Sequence, residues 1–273
     1  MLNRSVNPPE GARRGLVVAI ANQKGGVGKT TTAINLGANL ALRGHRVLLL
    51  DLDPQGNAST GLGVRIADGS RSIYSALIGQ RTLEEIVVPT GVDNLALAPS
   101  SIDLAGAELE MVPMLSREQR LAAAITPVAG DYDTILVDCA PSLGLLTINA
   151  LAAADELLIP VQCEFYALEG LGQLMDSIDL VRESLNTGLH IGSVLLTMFD
   201  ARTKLSTDVA IQIRNYFGER VFRTVIPRSI RLSEAPSYGE PIEVYDRMSP
   251  GAVAYRYVAI EFLQRHRQQE QEQ

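Results

Sequence analysis

Tryptophan is absent from this chain of 273 residues, which has only two cysteines and three histidines. Two cysteines are too few for a disulfide framework. Cys139 and Cys163 each lie in an apolar, strand-like segment, so we expect buried, reduced thiols. His45, His190 and His266 do not have the spacing of a zinc site. The low numbers of cysteines and histidines argue against a disulfide-stabilised secreted protein and against a small zinc module.

Long hydrophobic runs are also missing. None reaches the ~18 residues that cross a bilayer, and the polar start of the chain, with Pro8, Pro9 and Gly11, does not resemble a secretory signal. We therefore expect a cytoplasmic protein. With 46% hydrophobic residues, the chain can build one large domain, predicted here as residues 15–264. Residues 1–14 and 265–273 are predicted to be mobile tails.

The net charge of −7, taken alone, argues against a nucleic-acid-binding protein. The distribution of charge changes this interpretation. The segment 200–231 contains seven basic and three acidic residues, so it carries +4 while the remainder carries −11. A local basic face on an acidic protein is therefore compatible with DNA binding.

Apolar runs typical of strands alternate with helical patterns, which is the signature of β-α-β units. The predicted strands are 16–21, 46–51, a segment near Leu95, 135–139, 157–161 and 191–198. The predicted helices are 30–43, 116–129, 145–154, 168–184, 207–217 and 252–264. We predict a doubly wound, mostly parallel sheet with helices on both faces, which binds its ligand beyond the carboxyl ends of the strands.

The segment 24–31 is a glycine-rich loop between the first predicted strand and the first predicted helix. Glycines allow successive peptide N–H groups to approach phosphate oxygens because no Cβ intrudes, and the helix adds the positive end of its dipole. Lys29 would neutralise the terminal phosphates, and the Thr30 hydroxyl would ligate Mg²⁺. The residues predicted to bind a nucleoside triphosphate are Lys24, Gly25, Gly26, Val27, Gly28, Lys29, Thr30 and Thr31.

One departure from the general phosphate-loop pattern is informative. Gln23 stands where the first glycine is expected, and a second lysine, Lys24, follows it. The loop resembles the deviant Walker A family, whose pattern is Lys-Gly-Gly-x-Gly-Lys-Thr and whose extra lysine reaches across a dimer interface to the partner's nucleotide. The resemblance implies a P-loop ATPase that forms an ATP-dependent homodimer, with Lys24 and Lys29 as catalytic residues.

Two aspartates follow the second predicted strand, in the segment Asp51-Leu52-Asp53-Pro54-Gln55. A strand's carboxyl end places them near the nucleotide. The segment resembles the family's Asp-x-Asp-Pro-Gln element, in which the second aspartate lies near the attacking water. The resemblance assigns Asp53 to positioning or activating this water and leaves Asp51 as either a metal-side group or a structural partner.

A third acid, Asp138, ends the apolar strand at 135–139, which resembles a Walker B strand followed by a switch segment. A carboxylate there can hold Mg²⁺ through the water shell of the ion, opposite Thr30. The segments 196–198 and 225–229 resemble those that enclose adenine in this family, which makes Met198, Pro227 and Ser229 the candidate base contacts. The choice of ATP over other nucleotides depends on this resemblance.

The stretches 200–203 and 228–236 resemble those of the ParA/Soj partition ATPases, and the similarity extends from about residue 16 to residue 260. In that family the arginines that match Arg202 and Arg231 contact the DNA backbone, and Lys204 is a further candidate. The resemblance implies a nucleoid-associated, chromosome-partitioning ATPase whose ATP-bound dimer binds double-stranded DNA non-specifically. A ParB-like partner would stimulate hydrolysis and reset the cycle.

Three alternatives remain at this point. A MinD-like ATPase would cycle on a membrane, but the apolar residues Val253, Tyr257, Ile260 and Leu263 of the last predicted helix look like a core-facing stripe, so we predict no membrane binding. A plasmid- or protein-cargo-positioning ATPase would share all the nucleotide chemistry. A reductase with a shared metal cluster is disfavoured because neither cysteine lies in a matching loop.

Overall fold

Seven strands form one sheet in the computed structural model, which describes residues 14–66, 71–164 and 169–272, without the side chains of 169–170 and 269–272. The strands are β1 (Leu16–Ile20), β2 (Val47–Leu52), β3 (Val88–Pro89), β4 (Leu95–Ala98), β5 (Thr134–Cys139), β6 (Glu156–Gln162) and β7 (His190–Thr197). Their order is β3-β4-β2-β5-β1-β6-β7. The β3–β4 pair is antiparallel and the other neighbours are parallel.

The connecting helices cover both faces of the sheet. They are α1 (Lys29–Ala41), α2 (Asn57–Gly61), α3 (Ile73–Leu77), α4 (Leu83–Ile86), α5 (Leu104–Met111), α6 (Arg120–Ile125), α7 (Leu145–Ala153), α8 (Glu169–Ser184), α9 (Lys204–Phe217), α10 (Ile230–Glu234), α11 (Ile242–Tyr245) and α12 (Pro250–Glu272). Helices α3 to α9 pack on one face, and α1, α2 and α10 to α12 pack on the other. The predicted fold class is confirmed.

Alternation along β2 shows why its sequence is apolar throughout. Leu48 and Leu50 belong to the core on one face, whereas Val47 and Leu49 belong to the core on the other. A strand covered on both sides has no polar face, so it reads as a continuous hydrophobic run. The central parallel strands thus bring their carboxyl ends together at one edge of the sheet, where the loop between β1 and α1 also lies.

The predicted helix at 116–129 is interrupted. Its residues form a 3-10 turn at Arg117–Gln119, the short helix α6, and a second 3-10 turn at Thr126–Asp131. Pro127 lies in the first turn of the last segment, and its ring nitrogen cannot donate the hydrogen bond that a continuing α-helix requires.

Residues 265–272, which the sequence predicts to belong to a mobile tail, continue α12 as far as Glu272. Arg265 donates a 2.9 Å hydrogen bond to the Val221 carbonyl, and its guanidinium lies 4.5 Å from the centre of the Phe222 ring. His266 Nε2 lies 3.1 Å from Oε2 of buried Glu156 on β6. The predicted N-terminal tail lies outside the described residues except for Arg14.

The predicted core-facing stripe of the last helix is also displaced. Tyr257 is 58% exposed, whereas Tyr255, Val258 and Phe262 are buried against α1 and the sheet. The predicted positions and the buried positions both have helical spacing. The buried face also contains Ala252, Ala254 and Ala259, which a search for large apolar side chains does not find. Among the described residues, no helix is long and apolar enough to cross a membrane.

Candidate functional site

The loop between β1 and α1 has the backbone of an anion-binding site. Gly26 and Gly28 have φ angles of 72° and 90°, in the left-handed region that glycine adopts without strain. A Cβ at Gly25 or Gly26 would meet no atom within 4 Å, so the loop borders open space. Gly28 is the N-cap of α1, where no side chain caps the N–H groups and no acid lies in the first turn. These N–H groups can therefore bind phosphate oxygens.

Lys29 lies at the centre of this loop. Its ammonium donates a 3.1 Å hydrogen bond to the Lys24 carbonyl, and the residue is only 7% exposed. Burial lowers the pKa of Lys29, and the nearby Asp138 carboxylate is the largest influence that opposes this shift. A bound polyphosphate would supply the negative charge that this buried cation needs.

Thr197, at the end of β7, holds the loop from the other side. Its hydroxyl donates a 2.8 Å hydrogen bond to the Val27 carbonyl. The Thr197 Cγ2 atom would lie 3.7 Å from a Cβ at Gly28. The loop is therefore fixed both by its own helix and by a strand two positions away across the sheet.

Asp51 and Asp138 are register partners on the adjacent strands β2 and β5, and both are fully buried. Among the described residues, neither carboxylate oxygen of Asp138 has a hydrogen-bond partner. Burial raises the pKa of Asp138 well above its usual value, and the Asp51 carboxylate raises it further, whereas the Thr30 hydroxyl and Lys29 oppose the shift. An unpartnered buried carboxylate facing a threonine hydroxyl fits a Mg²⁺ site, because this ion prefers oxygen ligands.

Asp51 has partners of its own. Its Oδ2 accepts hydrogen bonds from the Ser59 hydroxyl at 2.6 Å and from the Ser59 N–H at 2.7 Å. Burial raises the pKa of Asp51 to about 6, although these hydrogen bonds oppose the rise. The contacts fix the start of α2 against β2, which favours the structural role over the metal-side role.

Asp53 follows Asp51 by two residues, directly after the end of β2, and is 7% exposed. Its Oδ1 accepts a 2.9 Å hydrogen bond from the Gln55 N–H, and its carbonyl accepts a 2.6 Å bond from the Ser100 hydroxyl. Within the described residues no hydrogen bond reaches its other carboxylate oxygen. The side chain is thus held in place with one acceptor free, as a water-positioning residue requires.

The segments predicted to enclose a base lie side by side beyond β7. The Phe199 N–H donates to the Ile226 carbonyl at 3.0 Å, and the Arg228 N–H donates to the Phe199 carbonyl at 3.1 Å. Met198 has a φ of 50°, an uncommon conformation for a residue other than glycine. Pro227 and Ser229 belong to the second segment, so the structure brings all three predicted base contacts to the same edge as the loop.

Lys24 forms an ion pair with an acid of its own chain. Its ammonium lies 3.6 Å from Oε2 of Glu164, and an Arg228 guanidinium nitrogen lies 3.4 Å from the other oxygen of the same carboxylate. Lys24 is about one third exposed, so it borders the solvent rather than the interior. The lysine predicted to act on a partner is therefore paired within its own chain in this structure.

Comparison with known proteins places this geometry in a family. A profile described as an AAA domain matches residues 15–191. The sporulation initiation inhibitor protein Soj of Bacillus subtilis is 56% identical over 247 residues, which cover 90% of this chain and 98% of the relative. The chromosome partitioning protein ParA of Myxococcus xanthus is 51% identical over 251 residues, covering 92% of this chain and 89% of the relative. The chain belongs to the Soj/ParA family of chromosome-partitioning ATPases.

Solved structures agree with this membership. Cobyrinic acid a,c-diamide synthase from Mycobacterium smegmatis, solved with bound ADP and magnesium, has a TM-score of 0.82 at 37% identity, covering 93% of this chain and 96% of that chain. The cell division ATPase MinD of Pyrococcus furiosus has a TM-score of 0.75 at 27% identity, covering 92% of this chain and 99% of that chain. The predicted ATPase activity is confirmed for this Soj/ParA-family protein.

The arginines predicted to contact DNA are exposed but paired with acids in this Soj/ParA-family protein. Arg202 makes two hydrogen bonds to Asp200, at 2.9 and 2.7 Å. Arg231 lies 2.9 Å from a carboxylate oxygen of Glu234 and 3.4 Å from one of Asp246. A separate candidate, Lys204, is the exposed first residue of α9.

Sequence reasoning missed two residues of this site. Thr197 anchors the phosphate loop, and Glu164 binds Lys24. Both are polar residues at or just beyond the carboxyl end of a strand, β7 and β6 respectively. A search for polar residues at every strand end would have found them, because these positions converge on the ligand edge of a parallel sheet.

Proposed function

We propose that this protein is an ATP- and Mg²⁺-dependent molecular switch for chromosome partition. ATP closes a homodimer, the dimer binds double-stranded DNA without sequence preference, and a ParB-like partner stimulates the hydrolysis that releases it. The unpartnered Asp138 carboxylate carries this proposal, because it lies beside Lys29 at a loop shaped for phosphate. A protein of this kind would be cytoplasmic and nucleoid-associated.

Within the site, each described residue has a distinct task. The N–H groups of the loop and the Lys29 ammonium bind the phosphates, while Met198, Pro227 and Ser229 border the base. Thr30 and Asp138 would hold Mg²⁺, which when bound neutralises charge on the terminal phosphates. Asp53 orients the attacking water through its free carboxylate oxygen.

Lys24 acts in trans in this proposal. Its ammonium leaves Glu164 and stabilises charge that develops on the partner's terminal phosphate. Its exposure and the local ion pair support this role, because an exposed pair costs about 0.2–1 kcal/mol to separate. Dimerisation would therefore be limited by nucleotide binding rather than by release of this lysine.

DNA binding by the dimer follows from the exposed cations. If Arg202, Lys204 and Arg231 each neutralise one phosphate, the logarithmic salt slope is about −2.7 for one protomer and about −5.4 for two. Doubling the contacts converts a weak attraction into useful affinity, so nucleotide-driven dimerisation can switch DNA binding.

Light scattering with ATP, with ADP and without nucleotide tests the proposal. The scattering mass should double only with ATP and Mg²⁺, and the dimer alone should be retained on random-sequence DNA. A mass that is the same in all three conditions would contradict the switch. Sedimentation with liposomes distinguishes a MinD-like membrane cycle, and a neighbouring gene for a ParB-like protein would favour chromosomes over plasmid or protein cargo.

A further inference from the structure

The Asn22 side chain takes the place of a backbone bond between β1 and β6. Within the described residues, the last backbone hydrogen bond between these strands runs from the Ala21 N–H to the Leu158 carbonyl, at 3.3 Å. In a parallel ladder a strand donates at every second residue, so a continuing β1 would offer the N–H of Gln23 to the Pro160 carbonyl. The side-chain amide of Asn22 donates to that carbonyl instead, at 2.8 Å. The backbone can therefore leave the sheet here and enter the phosphate loop.

The same side chain fixes the backbone of Lys24. Its Oδ1 accepts a 3.0 Å hydrogen bond from the Lys24 N–H, in the turn that asparagine forms with the residue two positions on. The Lys24 carbonyl is held as well, because it accepts the bond from the Lys29 ammonium. Asn22 is 5% exposed and Lys29 is 7% exposed. Two buried side chains thus fix the Lys24 backbone on either side of its Cα.

Strand β6 also leads to the charge that faces the Lys24 ammonium. Glu164 follows the end of β6, where its N–H donates a 2.8 Å hydrogen bond to the Gln162 carbonyl. One strand therefore provides both the anchor of the Lys24 backbone, at Pro160, and the acid that pairs with its ammonium. The ion pair is exposed and hence weak, whereas the backbone contacts are buried. The ammonium can leave Glu164 while the Cα of Lys24 stays in place.

We propose that Asn22 is a positioning residue for Lys24, which holds the lysine backbone so that the ammonium reaches the partner's terminal phosphate in the closed dimer. This inference rests on the proposed function, because it depends on Lys24 acting in trans. A long side chain on a backbone that is not fixed would spread its ammonium over many positions, most of them away from the phosphate. Asn22 limits this spread from a buried position at the end of β1.

The first measurements use Asn22→Ala and compare three properties with those of the parent. A fluorescent ADP analogue reports nucleotide affinity, light scattering reports ATP-dependent self-association, and a steady-state assay gives kcat and KM for ATP. Asn22→Ser is the conservative variant, because a serine oxygen can also accept a bond from the N–H two residues on. Thermal melting confirms that each variant is folded.

Asn186→Ala is the matched control. The Asn186 amide donates to the Leu151 and Ala154 carbonyls, and its Oδ1 accepts a bond from the Gly188 N–H two residues on. The bonds are of the same kinds as those of Asn22, but they lie just before the start of β7, at the edge of the sheet opposite the phosphate loop. This variant reports the effect of losing such bonds away from Lys24.

Asn22→Ala should bind the ADP analogue within about twofold of the parent, because the loop N–H groups and Lys29 remain. Its kcat should fall at least about tenfold with little change in KM, and self-association should need at least about tenfold more protein. Asn22→Ser should recover part of both losses, and Asn186→Ala should match the parent. An Asn22→Ala protein that assembles and turns over ATP like the parent, or that loses ADP affinity as strongly as kcat, would overturn the positioning role.

Mixing variants separates an action in trans from a structural role. In a mixed dimer with Asp53→Ala, the site of the Asn22→Ala protomer receives a correctly held Lys24 from its partner. Turnover of the mixture should therefore exceed the sum of the two separate proteins severalfold, as it should for Lys24→Ala mixed with Asp53→Ala. Recovery with Lys24→Ala but not with Asn22→Ala would overturn the role of Asn22 and leave the proposed function intact. Recovery in neither mixture would contradict the action of Lys24 in trans, and with it the proposed function.

Discussion

Replacing Asp138 with asparagine should stabilise the nucleotide-free protein while it removes the response to Mg²⁺. The Asp138 side chain is fully buried, and among the described residues its oxygens have no hydrogen-bond partner. A buried polar group in this state costs about 1–3 kcal/mol, and more when it is charged. Asparagine keeps the shape and removes both the charge and the repulsion from Asp51.

The gain is partly offset at Lys29, whose ammonium loses a stabilising carboxylate. We therefore expect a net gain of about 1 kcal/mol, which corresponds to a melting temperature about 2–4 °C higher for a protein of this size. In the parent, ATP and Mg²⁺ at about 100 times the dissociation constant add about 2.7 kcal/mol of stability. When a chelator replaces Mg²⁺, the parent should lose part of this added stability. The Asp138→Asn variant should show no such loss, because it no longer responds to Mg²⁺.

The stability difference should also depend on pH. Asp51 has a pKa of about 6 in the folded protein, against an ordinary value of 3.8. The folded state therefore retains protons between pH 4 and pH 6 that the unfolded chain releases, so the stability of the parent falls as the pH rises through this window. The Asp138 pKa is raised in the same direction. Asp51 is present in both proteins, so the difference between them comes from Asp138. Because its pKa in the folded protein is raised well above the ordinary value of 3.8, the parent loses stability as the pH rises above about 4, and the advantage of the variant should be small near pH 4 and should increase with pH.

Differential scanning fluorimetry of the parent and the variant, with Mg²⁺ and ATP, with chelator and ATP, and without nucleotide, measures these effects. Asp133→Asn is the control, because this exposed acid is bonded to Arg46 at 2.8 Å and its loss should not stabilise the protein. A variant that melts below its parent without nucleotide, or that keeps the full Mg²⁺ response, would refute the reasoning.

Three further variants test other parts of the site. Asp53→Ala should bind ATP and dimerise persistently while its turnover falls about 10²- to 10⁴-fold, and rapid turnover would contradict its role in positioning water. Arg231→Glu should dimerise with ATP but lose affinity for random-sequence duplex DNA, so undiminished retention on DNA would contradict the basic face. Glu164→Gln should lower the ATP-dependent dimerisation midpoint by up to about fivefold, because an exposed ion pair worth about 0.2–1 kcal/mol no longer competes for the lysine. An unchanged midpoint in light scattering would show that the Lys24–Glu164 pair has no influence on assembly.

The sequence predicted those parts of the fold that local patterns determine. The apolar run of β2 and the glycine-rich start of α1 each signal their own structure, and the position of Asp138 follows from the end of an apolar strand. The partners of exposed cations could not be predicted. Arg231 pairs with Glu234 one helical turn away on α10, but it also meets Asp246 because α10 and the end of α11 lie together, and this second contact is set by tertiary packing.

The end of α12 shows the same limit. The polar composition of 265–273 indicates a tail, but Arg265 and His266 find partners on distant segments and the helix continues. Local propensity is a weak guide where tertiary contacts supply the stabilisation. The stripe of α12 was misplaced for a related reason, because the buried face contains alanines as well as Tyr255 and Phe262.

The most direct test of the central claim is the assembly state and ATP turnover of Lys24→Ala, with Lys204→Ala as a control for loss of an exposed lysine. The account predicts that Lys24→Ala binds ATP but neither doubles its scattering mass nor hydrolyses ATP above a residual rate, while the control does both. A Lys24→Ala protein that dimerises and turns over ATP like the parent would contradict the account.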